Sequence, residues 1–266
     1  MANPEIRRLK LWQDRIETEV EIAGNGPAVV YLHGPWGLGP DRAFVARLTE
    51  QYTVFAPKFP GTSKGAPNAI HALGDWHDLV VYHGELLDEL KLNAPTLVGH
   101  SFGGMIAAEV AAVTPKAIGR LVLIDPVGLW RDDAPVRNWM LVPHKERPTT
   151  FFADPESEAA QRFFAVPSDA DERVEVLSQL TWSQACTGKF TWPIADRGLA
   201  KRIYRISAPT LVIWGDSDGV IAPLYADEFS KPIANARVAK IAHAGHMPHL
   251  EQPDSVMKAL SGFVTS

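Results

Sequence analysis

The chain has 266 residues, 46% of them hydrophobic and 21% charged, a composition that is typical of a folded globular protein and excludes a disordered or collagen-like chain. Its formal net charge of −5 gives no reason to expect nucleic acid or an anionic membrane surface as a partner. The single cysteine, Cys186, excludes intramolecular disulfides and cysteine-rich metal sites, and the length favours one large domain that contains an insertion.

The N-terminal segment predicts a hairpin with no targeting signal before it. Residues 1–10 mix charged and isolated apolar side chains and contain no apolar stretch of the kind found in secretory signals. Ile6–Trp12 and Ile16–Ile22 then alternate between apolar and polar residues, as half-buried antiparallel strands do. Because the chain also has only one cysteine, we expect a cytoplasmic protein.

Strands alternate with helices along most of the remaining chain. Apolar runs predict strands at Ala28–Leu32, Tyr52–Pro57, Pro95–Gly99, Arg120–Ile124, Pro209–Gly215 and Ala236–Ile241. Helical patterns occupy Asp41–Gln51, Asp75–Leu92, Phe102–Val113, Pro223–Ser230 and Pro253–Val264. This alternation predicts an α/β fold with a mostly parallel sheet and helices on both of its faces.

The stretch from Ala94 to Val113 is the most apolar of the chain but does not have the pattern of a membrane span. Pro95, Glu109 and three glycines interrupt it, and a spanning helix needs about 20 apolar residues in succession. A strand, a turn and a helix explain the stretch better. We therefore expect no membrane partner.

The alternation ends between Val127 and Ala200. These residues are rich in proline, charge and aromatic side chains, and the segment is too long for a structureless connection. We predict a helical insertion at 127–200, with 1–126 and 201–266 forming the core domain. Its aromatic residues form either a small core or the wall of an apolar pocket, and the candidate pocket residues are His33, Trp130, Trp139 and Trp182.

A Gly-x-Ser-x-Gly motif at Gly99–Gly103 gives the strongest chemical signal. It lies between a buried strand and the helix that begins at Phe102, which is the context that a nucleophile elbow requires. The tight turn needs glycines on both sides and exposes the Ser101 hydroxyl near the helix N-terminus, where backbone N–H groups have no internal partner. Ser101 is therefore the predicted nucleophile.

A serine hydroxyl needs a base and an orienting acid to become nucleophilic. His246 follows the last predicted strand in a loop, and Asp218 follows the strand that ends near Trp214. The order serine, aspartate, histidine along the chain is that of the α/β-hydrolases. Asp216 and Asp125 are alternative candidates for the acid, and both follow predicted strands.

These motifs together resemble the α/β-hydrolase superfamily over nearly the whole chain. The matching segments, in the family's order, are His33-Gly34, Pro60-Gly61-Thr62-Ser63, Gly99–Gly103, Trp214-Gly215-x-x-Asp218 and Gly245-His246-x-Pro248-x-Leu250-Glu251. The resemblance implies an eight-stranded sheet, a cap inserted after the sixth strand, and a triad of Ser101, Asp218 and His246. The family spacing favours Asp218 over Asp216, while Asp125 lies where some family members have their acid. Nothing in the chain suggests a cofactor.

The resemblance also implies an oxyanion hole made by backbone N–H groups, one of them from Phe102. The family's second donor commonly follows the His-Gly pair, but this chain has Pro35 there, which lacks an N–H. We expect Trp36 to supply the second donor instead. Loss of one donor would cost about 3 kcal/mol of transition-state stabilisation.

A metal site is a weak alternative. His243, His246 and His249 recur every three residues, but they lie in a loop and no nearby carboxylate or thiolate completes a zinc shell. Asp216-Ser217-Asp218-Gly219 lacks the twelve-residue pattern of a calcium loop. We expect no metal.

We predict a serine hydrolase of small carboxylic esters, thioesters or lactones that have an apolar or aromatic portion. One alternative is hydrolysis of carbon–carbon bonds in aromatic ring-cleavage products, although such relatives often have Trp after the catalytic histidine and this chain has Met247. A second is a ligand-binding protein or cofactor-free oxygenase with weak ester turnover, motivated by Pro35. The sequence leaves the oligomeric state open, a homo-oligomer included.

Overall fold

The computed structural model describes residues 4–63 and 65–265. Within them, eight strands form one sheet. The strands are β1 (Glu5–Leu11), β2 (Ile16–Ala23), β3 (Ala28–Leu32), β4 (Thr53–Pro57), β5 (Thr96–His100), β6 (Arg120–Ile124), β7 (Thr210–Gly215) and β8 (Ala236–Ile241). Their order across the sheet is β1-β2-β4-β3-β5-β6-β7-β8.

The sheet is antiparallel at one edge and parallel elsewhere. β1 pairs with β2 and β2 with β4 in antiparallel register, as the predicted hairpin requires. The other neighbours are parallel, from the β3–β4 pair to the β7–β8 pair. Parallel strands all end at the same edge of a sheet, so the loops after β3, β5, β6, β7 and β8 meet there.

Helices cover both faces of the sheet, so the predicted fold class is confirmed. The α-helices of the described residues are α1 (Arg42–Leu48), α2 (Trp76–Leu90), α3 (Phe102–Val113), α4 (Arg147–Phe151), α5 (Glu158–Phe164), α6 (Ala170–Thr191), α7 (Tyr225–Ser230), α8 (Pro248–Glu251) and α9 (Pro253–Val264), and of these α4, α5 and α6 lie outside the two faces of the sheet. The predicted bounds of α3, β3, β6, β8 and α9 agree with the structure. The short helix α8 was not predicted, because four residues are too few to show a helical period.

Two apolar clusters lie on opposite faces of the sheet. In β3, Val30 and Leu32 belong to the cluster that includes residues of α2 and α3. Val29 and Tyr31 belong to the cluster with residues of α1 and α9. Successive strand residues point to opposite faces, and both faces are buried, which explains why this strand is apolar at every position.

The segment between β6 and β7 contains α4, α5 and α6 and lies against the loops at the carboxyl edge of the sheet. The indole of Trp182 on α6 donates to the carbonyl of Gly61 at 3.0 Å, and a bridge between Gly128 and Asp196 joins the two ends of the segment. The segment is helical, as expected. Its division from the core at 127 and 200 as a separate domain stays a prediction.

None of the helices in the described residues is both long enough and apolar enough to cross a membrane.

Candidate active site

Ser101 lies at a strained turn between β5 and α3. Its backbone has a φ of 51° and a ψ of −112°, a region that residues with a side chain rarely occupy. A Cβ on Gly103 would lie 2.1 Å from the carbonyl oxygen of Leu32, and one on Gly99 would lie 2.4 Å from that of Gly103. The motif therefore needs glycine at both positions because neighbouring backbone occupies the space of a side chain.

The structure brings Ser101, His246 and Asp218 into one chain of hydrogen bonds. His246 Nε2 lies 2.9 Å from Ser101 Oγ, and His246 Nδ1 lies 2.8 Å from Asp218 Oδ2. Because the carboxylate accepts a hydrogen bond from the Nδ1–H group, Nε2 keeps its lone pair for the serine hydroxyl. Ser101 and His246 are 0% exposed, so bulk water does not compete for these bonds.

Backbone N–H groups hold the Asp218 carboxylate in place. Val220 and Ile221 donate to Oδ1 at 2.7 and 2.9 Å, which leaves Oδ2 for His246. Asp216, the neighbouring alternative, is exposed and accepts a hydrogen bond from the Ser217 hydroxyl. Within the described residues, the carboxylate that bonds to His246 is that of Asp218 and not that of Asp216.

Asp125 lies beside the triad but plays a different part. Its Oδ1 accepts from the Gly215 N–H at 3.0 Å. One ligand atom each of Asp125, Asp218 and His246 lie within 4.8 Å of one another. Burial, and then the charge of Asp218, raise the pKa of Asp125 well above its ordinary value. Asp125 therefore holds its proton more tightly than an aspartate in water does.

The two predicted oxyanion donors lie on opposite sides of Ser101 in the sequence. Phe102 is the first residue of α3, so its N–H has no acceptor within the helix. After β3, the Gly37 N–H closes a turn onto the Gly34 carbonyl at 3.3 Å. That bond does not use the N–H of Trp36, which lies at the corner of the turn. Their role as donors stays a prediction.

The Trp36 side chain contacts His246, the predicted base, and also packs against other aromatic rings. Its ring centroid lies 6.3 Å from that of His246 and 5.2 Å from that of Phe151. Phe163 lies 5.4 Å from Trp36 on another side. Sequence reasoning placed Phe151 and Phe163 among the aromatics of the insertion but did not distinguish them as neighbours of the site.

A second buried polar cluster lies behind the triad. Asp41 accepts from the Tyr31 hydroxyl at 2.8 Å and from His249 Nε2 at 3.1 Å, while His100 Nε2 donates to the carbonyl of His246 at 2.9 Å. Burial alone would raise the pKa of Asp41, but the hydrogen bond and charge of His249 lower it to about 2. The cluster thus anchors the loop of His246 to β3 and to the start of α1.

Two groups in the described residues have the composition of a metal site. Asp125, Asp218 and His246 form one, and in it the hydrogen bond between His246 and Asp218 already uses His246 Nδ1 and Asp218 Oδ2. Asp41, His100 and His249 form the other. There the Nδ1 atoms of both histidines lack a hydrogen-bond partner among the described residues, so these two nitrogens are the ones in this cluster that are free to coordinate a cation. His243 is exposed and belongs to neither.

Glu251 joins the histidine loop to the helical segment. It accepts from the N–H of Gly245 and from that of Ala153, both at 2.7 Å, and the His246 N–H donates to the carbonyl of Phe151 at 2.8 Å. Burial raises the pKa of Glu251 to about 7, against the opposing effect of the backbone donors. Glu251 is the last residue of the Gly-His-x-Pro-x-Leu-Glu motif. The motif marked Glu251 as a family position but did not predict that it joins the two segments.

The described residues enclose an open cleft of about 1490 Å³ beside Trp36. We call it the aromatic cleft, because its wall includes Trp36, Phe151, Phe163 and Phe164. None of the four candidate pocket residues lines it. His33 is buried and accepts from the Phe59 N–H at 3.1 Å, so it holds a loop in place.

The three candidate tryptophans lie elsewhere in the helical segment. Trp130 and Trp139 border a cavity of about 10 Å³ near Ala195. Trp182 is half-buried against Gly61. The sequence pattern does not show which aromatic residues line the aromatic cleft. Only the packing of α4 and α5 identifies them.

Comparisons with known proteins agree with this geometry. The model of the alpha/beta hydrolase family matches residues 29–259. An sn-1-specific diacylglycerol lipase from Mus musculus is 26% identical over 98% of this chain and 87% of its own length. A pimeloyl-(acyl-carrier protein) methyl ester esterase from Aromatoleum aromaticum is 28% identical over 86% of this chain and 95% of its own.

A solved structure has the same fold. An esterase from Exiguobacterium antarcticum superposes with a TM-score of 0.76 at 23% identity, covering 97% of this chain and 99% of that one.

Proposed function

This chain belongs to the alpha/beta hydrolase family, and from that premise we propose that it hydrolyses a small carboxylic ester, thioester or lactone. Ser101 is the nucleophile, His246 the general base and Asp218 the orienting acid. The observation that carries the proposal is the hydrogen-bonded chain from Ser101 Oγ through His246 to Asp218, with distances of 2.9 and 2.8 Å. The relatives named as a lipase and an esterase support ester hydrolysis.

The reaction has two halves. His246 Nε2 takes the proton of Ser101 as Oγ attacks the carbonyl carbon, and Asp218 stabilises the resulting imidazolium. His246 then gives this proton to the leaving alcohol, which departs as the acyl-enzyme forms. A water molecule, deprotonated by the same histidine, attacks the acyl group and restores Ser101.

The negative charge on the carbonyl oxygen needs donors during both attacks. In this proposal the N–H groups of Phe102 and Trp36 supply them, at the N-terminus of α3 and in the turn after β3. Each such donor contributes on the order of 3 kcal/mol to the transition state. Residues 127–200 act as a cap, because α4 and α5 place Phe151 and Phe163 beside Trp36.

A fluorophosphonate labelling experiment tests the proposal. The protein is treated with a small fluorophosphonate and its peptides are mapped by mass, alongside Ser101→Ala and the control Ser261→Ala on α9. We expect a single adduct on Ser101 in the parent and the control and none in Ser101→Ala. Absence of an adduct in the folded parent protein would disprove a working triad.

Substrate assays then separate ester hydrolysis from the alternatives. Turnover of aryl esters and lactones that disappears in Ser101→Ala supports the proposal. Loss of the visible absorbance of a ring-cleavage dienoate without ester turnover would favour carbon–carbon hydrolysis. Tight ligand binding with an adduct but no turnover would favour a binding protein or an oxygenase.

A further inference from the structure

The wall of the aromatic cleft contains both aromatic and charged side chains. The rings of Phe151 and Phe163 lie next to Trp36, and the ring of Phe164 stacks on that of Phe151. The charged side chains at the wall include Glu19, Arg42, Arg47, Lys58, Arg147, Glu158 and Arg162. A substrate in the cleft therefore meets both aromatic rings and ionic groups.

Most cations of this wall already have a carboxylate partner. The pairs are Arg42 with Glu21 at 2.8 Å, Lys58 with Glu19 at 2.6 Å, Arg47 with Asp254 at 2.6 Å, and Arg162 with Glu158 at 2.5 Å. These pairs neutralise one another and leave little charge to attract a ligand.

Arg147 is different. Its Nε donates to the carbonyl of Val142 at 3.1 Å, and no carboxylate of residues 4–63 or 65–265 forms an ion pair with it. The side chain is half-buried. Burial alone lowers the pKa of its guanidinium, with no acid raising it. A partly desolvated guanidinium whose two Nη groups lack an anionic partner is a site for an anion from outside the chain.

The position of Arg147 relates it to the proposed nucleophile. It begins α4 and Phe151 ends it, so the two residues lie on one face of the helix about 6 Å apart along its axis. The Phe151 ring contacts Trp36, whose ring in turn contacts His246. From the site outwards the order is therefore His246, Trp36, Phe151 and Arg147.

We propose that Arg147 binds a carboxylate at the far end of the substrate, so that the preferred esters have an apolar spacer between the reacting carbonyl and a free carboxylate. The proposal rests on the ester hydrolysis proposed above and names its substrate class. The spacer lies along Phe151 and Trp36. The carboxylate accepts two hydrogen bonds from the planar guanidinium, a geometry that a lysine cannot reproduce.

Matched esters test the assignment. Monomethyl esters of dicarboxylic acids, from succinate to sebacate, are compared with methyl esters of monocarboxylic acids of equal chain length, and kcat/KM is measured for each. The variants are Arg147→Met, which keeps an apolar side chain of similar length, and Arg147→Lys. The control is Arg162→Met, which removes a cation from the same cleft that Glu158 already neutralises.

We expect the parent protein to prefer one of the acidic esters by about tenfold, the value of one additional charge-assisted hydrogen bond after solvent screening. The preference disappears in Arg147→Met, mostly through KM, recovers in part in Arg147→Lys, persists in Arg162→Met, and weakens as salt is added. A preference that Arg147→Met retains would overturn the proposal, as would a parent protein that hydrolyses only neutral esters.

The two proposals fail in different ways. Hydrolysis of neutral esters, together with labelling of Ser101 and no preference for the acidic ester, rejects the role of Arg147 and leaves ester hydrolysis intact. Hydrolysis of neither ester, with no labelling of Ser101, rejects both. Fluorophosphonate labelling of Arg147→Met confirms that the variant is folded around its triad.

Discussion

Ser101 and its neighbours show how single residues set the local chemistry. The positive φ of Ser101 raises its backbone energy by about 1–3 kcal/mol, which the surrounding β5 and α3 must offset. Asp125 and Asp218 show how local surroundings make two neighbouring carboxyl groups different. Both are buried carboxyls near His246, yet two backbone N–H groups hold Asp218, while burial raises the pKa of Asp125.

A pair of asparagine substitutions distinguishes these two carboxyls. In Asp218→Asn the side chain no longer accepts from His246 Nδ1 as a carboxylate does, so we expect kcat to fall by about 10⁴-fold. Asp125 lies outside the hydrogen-bonded chain of Ser101, His246 and Asp218, and in Asp125→Asn the amide keeps an oxygen for the Gly215 N–H, so we expect kcat to fall by less than about tenfold. Steady-state kinetics with one ester checks both, and a larger loss in Asp125→Asn would mean that the acid is misassigned.

At the scale of elements, the start of α1 and the loop before α8 are held together by buried polar contacts. Asp41 immediately precedes α1 and therefore has the position of a helix cap, but its side chain makes no capping hydrogen bond. It instead accepts from Tyr31 on β3 and from His249 on α8. One carboxylate thus joins three elements around the backbone of His246.

The substitution Asp41→Asn tests that connection. An amide has one acceptor oxygen where the carboxylate has two, so one of the two buried donors, Tyr31 or His249, loses its partner. We expect the free energy of unfolding at neutral pH to fall by about 1–3 kcal/mol, measured by urea titration. The control Asp254→Asn removes an exposed ion pair with Arg47 and should cost less than about 1 kcal/mol.

The difference in unfolding free energy between Asp41→Asn and the parent protein should depend on pH in a definite direction. The pKa of Asp41 is lowered from 3.8 to about 2, so the folded protein binds this proton more weakly than the unfolded chain. The stabilisation is complete above about pH 4 and is lost as the pH falls through about 2. The stability difference between Asp41→Asn and the parent should therefore shrink over that range. A difference that grows on acidification would contradict this assignment.

At the scale of the whole molecule, the proposed cap between β6 and β7 lies beside the triad. Ser101 and His246 are 0% exposed, and Phe163 on α5 contacts the face of the site formed by Trp36. A ligand can reach Ser101 only if aromatic side chains between the aromatic cleft and the triad move. The rate of acylation then includes the free energy of that movement.

Removing one of these rings should speed access. In Phe163→Ala we expect the second-order rate constant of fluorophosphonate labelling to rise by about threefold to tenfold, since a barrier lower by about 1 kcal/mol has that effect. The control Tyr204→Ala removes an exposed ring that does not line the aromatic cleft and should leave the rate unchanged. An unchanged or slower rate in Phe163→Ala would show that the ring does not obstruct the path.

The chain order of motifs and the apolar runs predicted most of the framework. β3 and β6 are recognisable because both of their faces are buried, and α9 because Val256, Leu260 and Phe263 lie on its buried face. The Gly99–Gly103 motif predicted its turn because the need for glycine there is local. Such features depend on residues within one element or one turn, so the sequence alone contains the information.

Contacts between distant segments could not be obtained in the same way. Nothing in the spacing of Asp41 and His249 indicates that they meet, because helix packing across the sheet sets their separation. Arg162 pairs with Glu158 within one helix, four residues away, whereas only the tertiary structure shows that Arg147 is half-buried and donates to the carbonyl of Val142. The sequence alone therefore determined the fold class and the candidate nucleophile, since these follow from local pattern and backbone sterics. The tertiary structure decided which rings and charges surround the site, because burial and pairing are properties of the packed chain.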